Sequence, residues 1–222
     1  MLLHDVALQN LHVVLAVDRA GLVGSDGPTH HGSQDVCYLT QIPNMTVLCP
    51  ACFDELRSML RAALAMDGPV AVRYPRGTEG RAYPAWNGDS ASVLRRGRDV
   101  TLISYGTLTD ELFTAADTLA ERGIEAEIIK LHRIAPLDTK PVLESVRRTG
   151  RLLVLEDCRE AGSVGQRLAA ALAQSGAAPK ALILKNLNGR FAPQGTVREL
   201  RRLLGLDAQG IVETVLALFP ED

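Results

Sequence analysis

Aromatic residues are scarce here: Phe, Trp and Tyr together make up 4% of 222 residues. A surface that stacks nucleic-acid bases needs such side chains in number. A basic excess is missing too. The 24 Lys and Arg face 26 Asp and Glu, for a net charge of −2, whereas a nucleic-acid groove carries a basic stripe. No apolar run approaches the roughly 20 residues that cross a bilayer. Neither nucleic acid nor membrane is therefore an expected partner. The opening MLLHDVALQN has no basic segment, and His4 and Asp5 break its apolar stretch, unlike a signal peptide. Cysteine is sparse: Cys37, Cys49, Cys52 and Cys158 read as free thiols of a cytoplasmic protein.

The apolar fraction, 46%, is enough for a core without disulfides or metals. Its distribution alternates. Val13 to Val17, Met45 to Leu48 and Val70 to Tyr74 are short apolar runs suited to strands buried on both faces. Residues 53–66 form an amphipathic helical pattern, with Phe53, Leu56, Met59, Leu60, Ala63 and Leu64 on one face. Residues 78–98, rich in glycine and poor in periodicity, read as a linker that holds the single tryptophan, Trp86. After it, strand patterns at 100–104, 125–131, 151–156 and 180–186 alternate with helical patterns at 108–122, 138–148, 163–175, 197–204 and 208–218. Such alternation predicts an α/β fold with parallel sheets. Thr196 with Glu199 suggests a capping box, and Asp207 an N-cap. The two or three strands before the linker are too few for a complete doubly wound domain.

Polar groups crowd behind the first strand: Asp18, Arg19, Asp26, Thr29, His30, His31, Gln34 and Asp35, interspersed with four glycines and Pro28. In open α/β sheets ligands bind outside the carboxyl ends of strands, so this stretch reads as a site or, more plainly, as a solvated loop. Arg73-Tyr74-Pro75-Arg76-Gly77 follows another strand. Its guanidinium groups suit a phosphate or carboxylate, or pair with surface carboxylates. Cys49-Pro-Ala-Cys52 has metal spacing but no second pair, and reads as structural thiols. His31 reads as a loop hydrogen-bonder. His132-Arg133 closes a strand and is expected to face a domain interface, whereas Glu156-Asp157 ends another strand, where partner contacts and chemistry are both open.

DRAGLVGSDGPTHHG, IPNMTVLCP and DGPVAVRYPRG, followed by LISYGTL, KLHRIAPLD, LLVLED and FAPQGTVRELRRLLGLDAQGI, resemble the 1-deoxy-D-xylulose-5-phosphate synthases of the transketolase group. The resemblance runs from about residue 4 to the end and covers only the C-terminal portion of that family. It implies the C-terminal half of a pyrimidine-binding domain over 1–77, a linker over 78–98 and a mostly parallel-sheet transketolase C-terminal domain over 99–222. It further implies condensation of pyruvate with D-glyceraldehyde 3-phosphate on thiamine diphosphate and Mg²⁺. Arg19 and Arg76 would hold the aldehyde's phosphate, Asp26 its hydroxyl or aldehyde side, and His30 would donate or carry a proton at the reacting carbons.

The family's GDG motif for the metal-bound diphosphate does not occur in this sequence. The activating glutamate has no counterpart, since Glu55 falls in the amphipathic helix and Glu79 in the linker. By itself the chain is expected to be inactive. It is expected to work as a homodimer or with a companion N-terminal chain, or as part of a longer protein. The other reading is a catalytically inactive fragment or assembly module. Two segments depart from the family pattern: Glu160 to Gly165 and Phe191 to Gly195, both assigned to the C-terminal domain and its packing.

Overall fold

The computed structural model describes residues 1–219; the last three residues of the expected C-terminal domain fall outside that range. A helical turn at Leu2–Ala7 precedes β1 (Val14–Val17), α1 (Asp35–Leu39), β2 (Thr46–Leu48), α2 (Phe53–Ala63) and β3 (Val70–Arg73). The second half contains β4 (Ala91–Arg95), β5 (Val100–Tyr105), α3 (Thr109–Ala120), β6 (Ala126–Leu131), β7 (Arg133–Ala135), α4 (Lys140–Thr149), β8 (Arg151–Leu155), α5 (Val164–Gln174), β9 (Ala181–Lys185), α6 (Val197–Leu203) and α7 (Ala208–Leu216).

Two sheets result, in the orders β1-β3-β2-β7 and β4-β6-β5-β8-β9. Both are parallel except at one edge. β7 runs antiparallel to β2, and β4 antiparallel to β6. β7 belongs by sequence to the second half yet completes the first sheet. β4 lies inside the segment that reads as a linker. Trp86 packs beside the apolar cluster under α2, and its backbone N–H donates to Ser58 Oγ at 2.9 Å.

The burial of β3 explains its uninterrupted apolar run. Val70 and Val72 pack with Leu48, Met59 and Ala63 under α2. Ala71, between them, turns to the opposite face, where it joins Val36, Leu39 and Val47. That second cluster continues into Ile103, Ile129 and Val154 of the other sheet and into Val142 of α4 and Leu168 of α5, so the two sheets share a core. The far face of the second sheet is covered by α3, α6 and α7 through Leu112, Leu200 and Ile211.

Helix ends follow their sequence signals. Thr196 and Glu199 form the reciprocal capping box, and Asp207 accepts from Gly210 N at 3.0 Å. The parallel pairing of β1 with β3 brings both carboxyl ends to one side, which places the loops after Val17 and Arg73 next to each other.

Candidate functional site

The loop after β1 folds back on itself through Gly32. Gly21 N donates to Gly32 O at 2.8 Å and Gly32 N to Arg19 O at 3.1 Å. A Cβ on Gly32 would lie 2.1 Å from Arg19 O, so no larger residue fits there. Arg19 itself adopts φ 57°, which turns its side chain away from the strand direction. A short 3₁₀ turn at Gly24–Asp26 then presents Asp26.

The loop is also tied to the second half of the molecule. Val23 N donates to His31 Nδ1 at 3.0 Å, which makes Nδ1 the acceptor. The proton is then on Nε2, which donates to Pro193 O at 3.1 Å. Gln194 Nε2 donates to Ser25 O at 2.8 Å. His31 is therefore the loop hydrogen-bonder that its position suggests. The segment Phe191 to Gly195, assigned from sequence to packing of the C-terminal domain, forms the outer wall of this loop. Its contact with residue 25 has no local sequence signal.

Arg19, Asp26 and Arg76 converge. Arg76 Nη1 lies 2.5 Å from Asp26 Oδ2, and Arg19 Nε lies 3.7 Å from the same oxygen. Arg19 also pairs with Asp18 at 2.6 Å. The hydrogen bond from Arg76 holds the Asp26 carboxyl below its ordinary range, and the charges of His30 and Arg19 act in the same direction. His30 lies four residues beyond Asp26 in the same loop. It is exposed, and its Nδ1 is 2.9 Å from Thr29 Oγ1. Two cations and one anion meet at the carboxyl ends of β1 and β3, with His30 exposed further along the same loop.

Arg73 does something different from Arg76, although the two look alike in the sequence. Its side chain is 3% exposed. Nε lies 2.6 Å from Asp35, Nη2 lies 3.1 Å from Asp157, and Nη2 also donates to Gly32 O at 3.2 Å. Burial disfavours the charged form, but the Asp35 and Asp157 carboxylates outweigh it and hold the guanidinium firmly protonated. Arg73 is a buried strut between the loop, α1 and the end of β8, and cannot reach a ligand. Asp157 packs closely enough that a Cβ on Gly21 would sit 1.8 Å from its Oδ2.

A cleft of about 250 Å³ opens beside Arg76, lined by Ala20, Thr78, Asp110, Asp157 and Arg201. The turn at residues 75–78 separates it from an apolar pocket of about 230 Å³ walled by Cys52, Phe53, Leu56 and Tyr74. No group of three or more His, Cys, Asp or Glu side chains suited to a metal ion occurs among the described residues. Glu55 is not free to serve a ligand. It is 1% exposed, accepts from Ala51 N at 2.8 Å and pairs with Lys130. Glu156 is likewise engaged by Val164 N, Gly165 N and Tyr105. The donor set of these residues does not fit a metal-bound diphosphate. No helix of the described residues is long and apolar enough to span a membrane.

The family description "Transketolase, pyrimidine binding domain" matches residues 1–80, and "Transketolase, C-terminal domain" matches residues 89–211. 1-Deoxy-D-xylulose-5-phosphate synthase 1 of Geobacter sulfurreducens is 42% identical over 94% of the chain. The 1-deoxy-D-xylulose-5-phosphate synthase of Thermomicrobium roseum is 42% identical over 97%. The alignments take in 33% and 35% of those two proteins, so the chain spans about a third of the length of the curated relatives it matches. Among solved structures, one titled "Split gene transketolase, inactive beta4 tetramer" superposes with a TM-score of 0.86 at 26% identity, over 97% of this chain and 69% of that one. Two mostly parallel sheets with helices, both domain matches and the shared identity agree: the chain belongs to the transketolase family and corresponds to the C-terminal portion of 1-deoxy-D-xylulose-5-phosphate synthases.

Proposed function

We infer that this chain supplies the aldehyde-phosphate site of a 1-deoxy-D-xylulose-5-phosphate synthase, the enzyme that condenses pyruvate with D-glyceraldehyde 3-phosphate. The observation that carries this reading is the meeting of Arg19 and Arg76 on one carboxylate oxygen. Two guanidinium groups so placed suit a phosphate dianion through charged, forked hydrogen bonds. Asp26 lies between the two guanidinium groups and keeps them turned toward one point. An arriving phosphate competes for the guanidinium groups and frees the carboxylate for the aldehyde's hydroxyl. His30, exposed in the same loop, would give a proton to the aldehyde oxygen as it gains charge.

Thiamine diphosphate and Mg²⁺, on which such synthases work, meet no fitting donor set among the described residues. They are held by a companion chain or by a further part of a longer protein. The solved relative, titled a split-gene, inactive tetramer of one chain type, supports a half that is inactive by itself and assembles with copies or with a companion. A homodimer is the simplest such assembly. The four cysteines are free, which suits the reducing cytoplasm.

The purified chain, given pyruvate, D-glyceraldehyde 3-phosphate, thiamine diphosphate and Mg²⁺, is expected to form no deoxyxylulose phosphate. Addition of a cofactor-binding companion restores turnover. In that complex Arg76→Ala weakens binding of the aldehyde phosphate by about 1.5–3 kcal/mol, the loss of charged hydrogen bonds. Pyruvate decarboxylation changes much less. Turnover by the chain alone, or equal damage to both steps, overturns the reading.

A further inference from the structure

Glu55, His132 and Ser92 meet beside a cavity that shares no lining residue with the cleft next to Arg76. Ser92 lies on β4, opposite Lys130 of β6, and His132 directly follows β6. Glu55 reaches them from α2. His132 Nε2 is 2.8 Å from Ser92 Oγ, and His132 Nδ1 is 3.4 Å from Glu55 Oε1. Ala51 N and Lys130 both pair with Oε2 of that carboxylate, which leaves Oε1 to the histidine. His132 and Glu55 are buried, whereas Ser92 is half-buried. All three line a cavity of about 280 Å³, walled further by Tyr83, Trp86 and Leu94. Ser92 and Leu94 share one face of β4, as alternate residues of a strand do.

We propose that Ser92, His132 and Glu55 are a nucleophile, its base and the carboxylate that orients the base, and that this cavity hydrolyses small uncharged esters. An ionised carboxylate only accepts, so the Nδ1 that faces it carries the ring proton, and Nε2 is left to accept from the Ser92 hydroxyl. That is the order of contacts by which a serine is activated. The 3.4 Å contact is loose, as catalytic hydrogen bonds often are before substrate binds. Lys130, whose Nζ lies 4.0 Å from the centre of the Tyr83 ring, fixes the other oxygen of the carboxylate. A cavity of this size takes a short acyl group, and its aromatic walls suit an aryl leaving group. Among the described residues no lysine or arginine lines it, so an anionic ester finds no such counter-ion there.

In the first step Ser92 Oγ attacks the carbonyl carbon. Its proton passes to His132 Nε2, and the carbonyl π pair moves onto oxygen. Asn87 also lines the cavity, and its amide has one N–H beyond that given to Asp89 Oδ2 at 2.8 Å, a donor for that oxyanion. The pair then re-forms the carbonyl, the C–O bond to the leaving group breaks, and the alcohol departs with the proton from His132. Ser92 is left acylated. Water attacks the acyl carbon in the same way and gives one proton to His132. The carboxylic acid leaves, and Ser92 takes that proton back. Ester and water have become acid and alcohol.

The full chain is treated with a fluorophosphonate probe, digested and mapped by mass spectrometry, and is assayed separately with para-nitrophenyl butyrate. The expected adduct is on Ser92. Ser92→Ala loses that adduct, and His132→Gln forms it about 10²-fold or more slowly, the size of a lost general base. Both lower ester hydrolysis to match. Glu55→Gln lowers kcat about tenfold or more with KM unchanged, because it turns the base without touching the ester. A probe that leaves Ser92 unmodified overturns the proposal. So does a folded Ser92→Ala that hydrolyses the ester at the wild-type rate, and so does a Glu55→Gln that raises KM with kcat kept. Should circular dichroism show His132→Gln or Glu55→Gln unfolded, the wild-type adduct map and Ser92→Ala decide alone.

Discussion

Arg73 and Arg76 stand three positions apart in one motif and have opposite fates. The apolar run that precedes Arg73 is buried on every side chain of β3, and Arg73 continues that strand. Arg76 follows Pro75, which has already turned the chain out. The burial difference is thus encoded in the length of the strand, but the partners of Arg73 are not. Asp35 and Asp157 lie far away in sequence, and Asp157 has no local signal beyond its place at a strand end. Removing a partner from a buried ion pair leaves an uncompensated charge, which costs about 3–5 kcal/mol. Arg73→Met is therefore expected to lose stability of about that size in urea unfolding, because it strands both Asp35 and Asp157. A loss below about 1 kcal/mol, the size of a surface pair, would show that water reaches the carboxylates. The arginine of the ligand cluster is a contrast: it is half exposed, so its replacement is expected to leave stability nearly unchanged.

The long elements were legible because each carries several turns or rungs of one period. Helices at 109–120, 140–149 and 164–174 and the strands β5, β6, β8 and β9 fall within a few residues of their sequence patterns. The short ones were not. α1 has five residues and lies in the glycine-rich polar stretch, too brief for a 3.6-residue period to show. β7 has three, and β4 is an edge strand with every side chain half-buried, so no alternation marks it. Glu55 shows what position on an element adds. It sits in α2 as an ordinary helical charge by sequence, yet the helix packs it onto β6, beside Lys130 and 3.4 Å from His132 Nδ1. Burial works against its charge, but His132, Lys130 and the Ala51 N–H outweigh burial and lower its pKa. For Lys130 burial prevails over Glu55, and its pKa also falls. A carboxyl lowered in the folded state contributes stability above its unfolded pKa and loses it as pH falls through the folded value. Glu55→Gln is thus expected to be less stable than wild type at pH 7, with the gap closing on the acid side below the ordinary carboxylate range. Urea unfolding across that range checks it, and a gap independent of pH would mean that packing, not ionisation, holds α2 to β6.

At the scale of the whole molecule the first sheet has two edge strands: β7, of three residues, pairs with β2, and β1 pairs with β3, each on one side alone among the described residues. The β1 edge is the longer and the more exposed. Val13 and Val17 accept from Val70 N and Tyr74 N, so the peptide groups of the intervening Val14 and Ala16 point to the open side. Ala16 is exposed there, with Leu8 and Leu11 exposed just ahead of it. A strand edge with unpaired N–H and C=O groups and apolar neighbours is a template for another strand. Proline at such a position removes one outward donor and is compatible with an edge strand. Ala16→Pro is therefore expected to keep the circular dichroism spectrum and to weaken association, with itself or with a companion, by about tenfold or more. That is about 1.4 kcal/mol, close to the net worth of one hydrogen bond. Sedimentation velocity at several concentrations reads this directly. An unchanged association constant in a folded variant would place the interface away from β1, and would make the open edge a solvated boundary of the sheet.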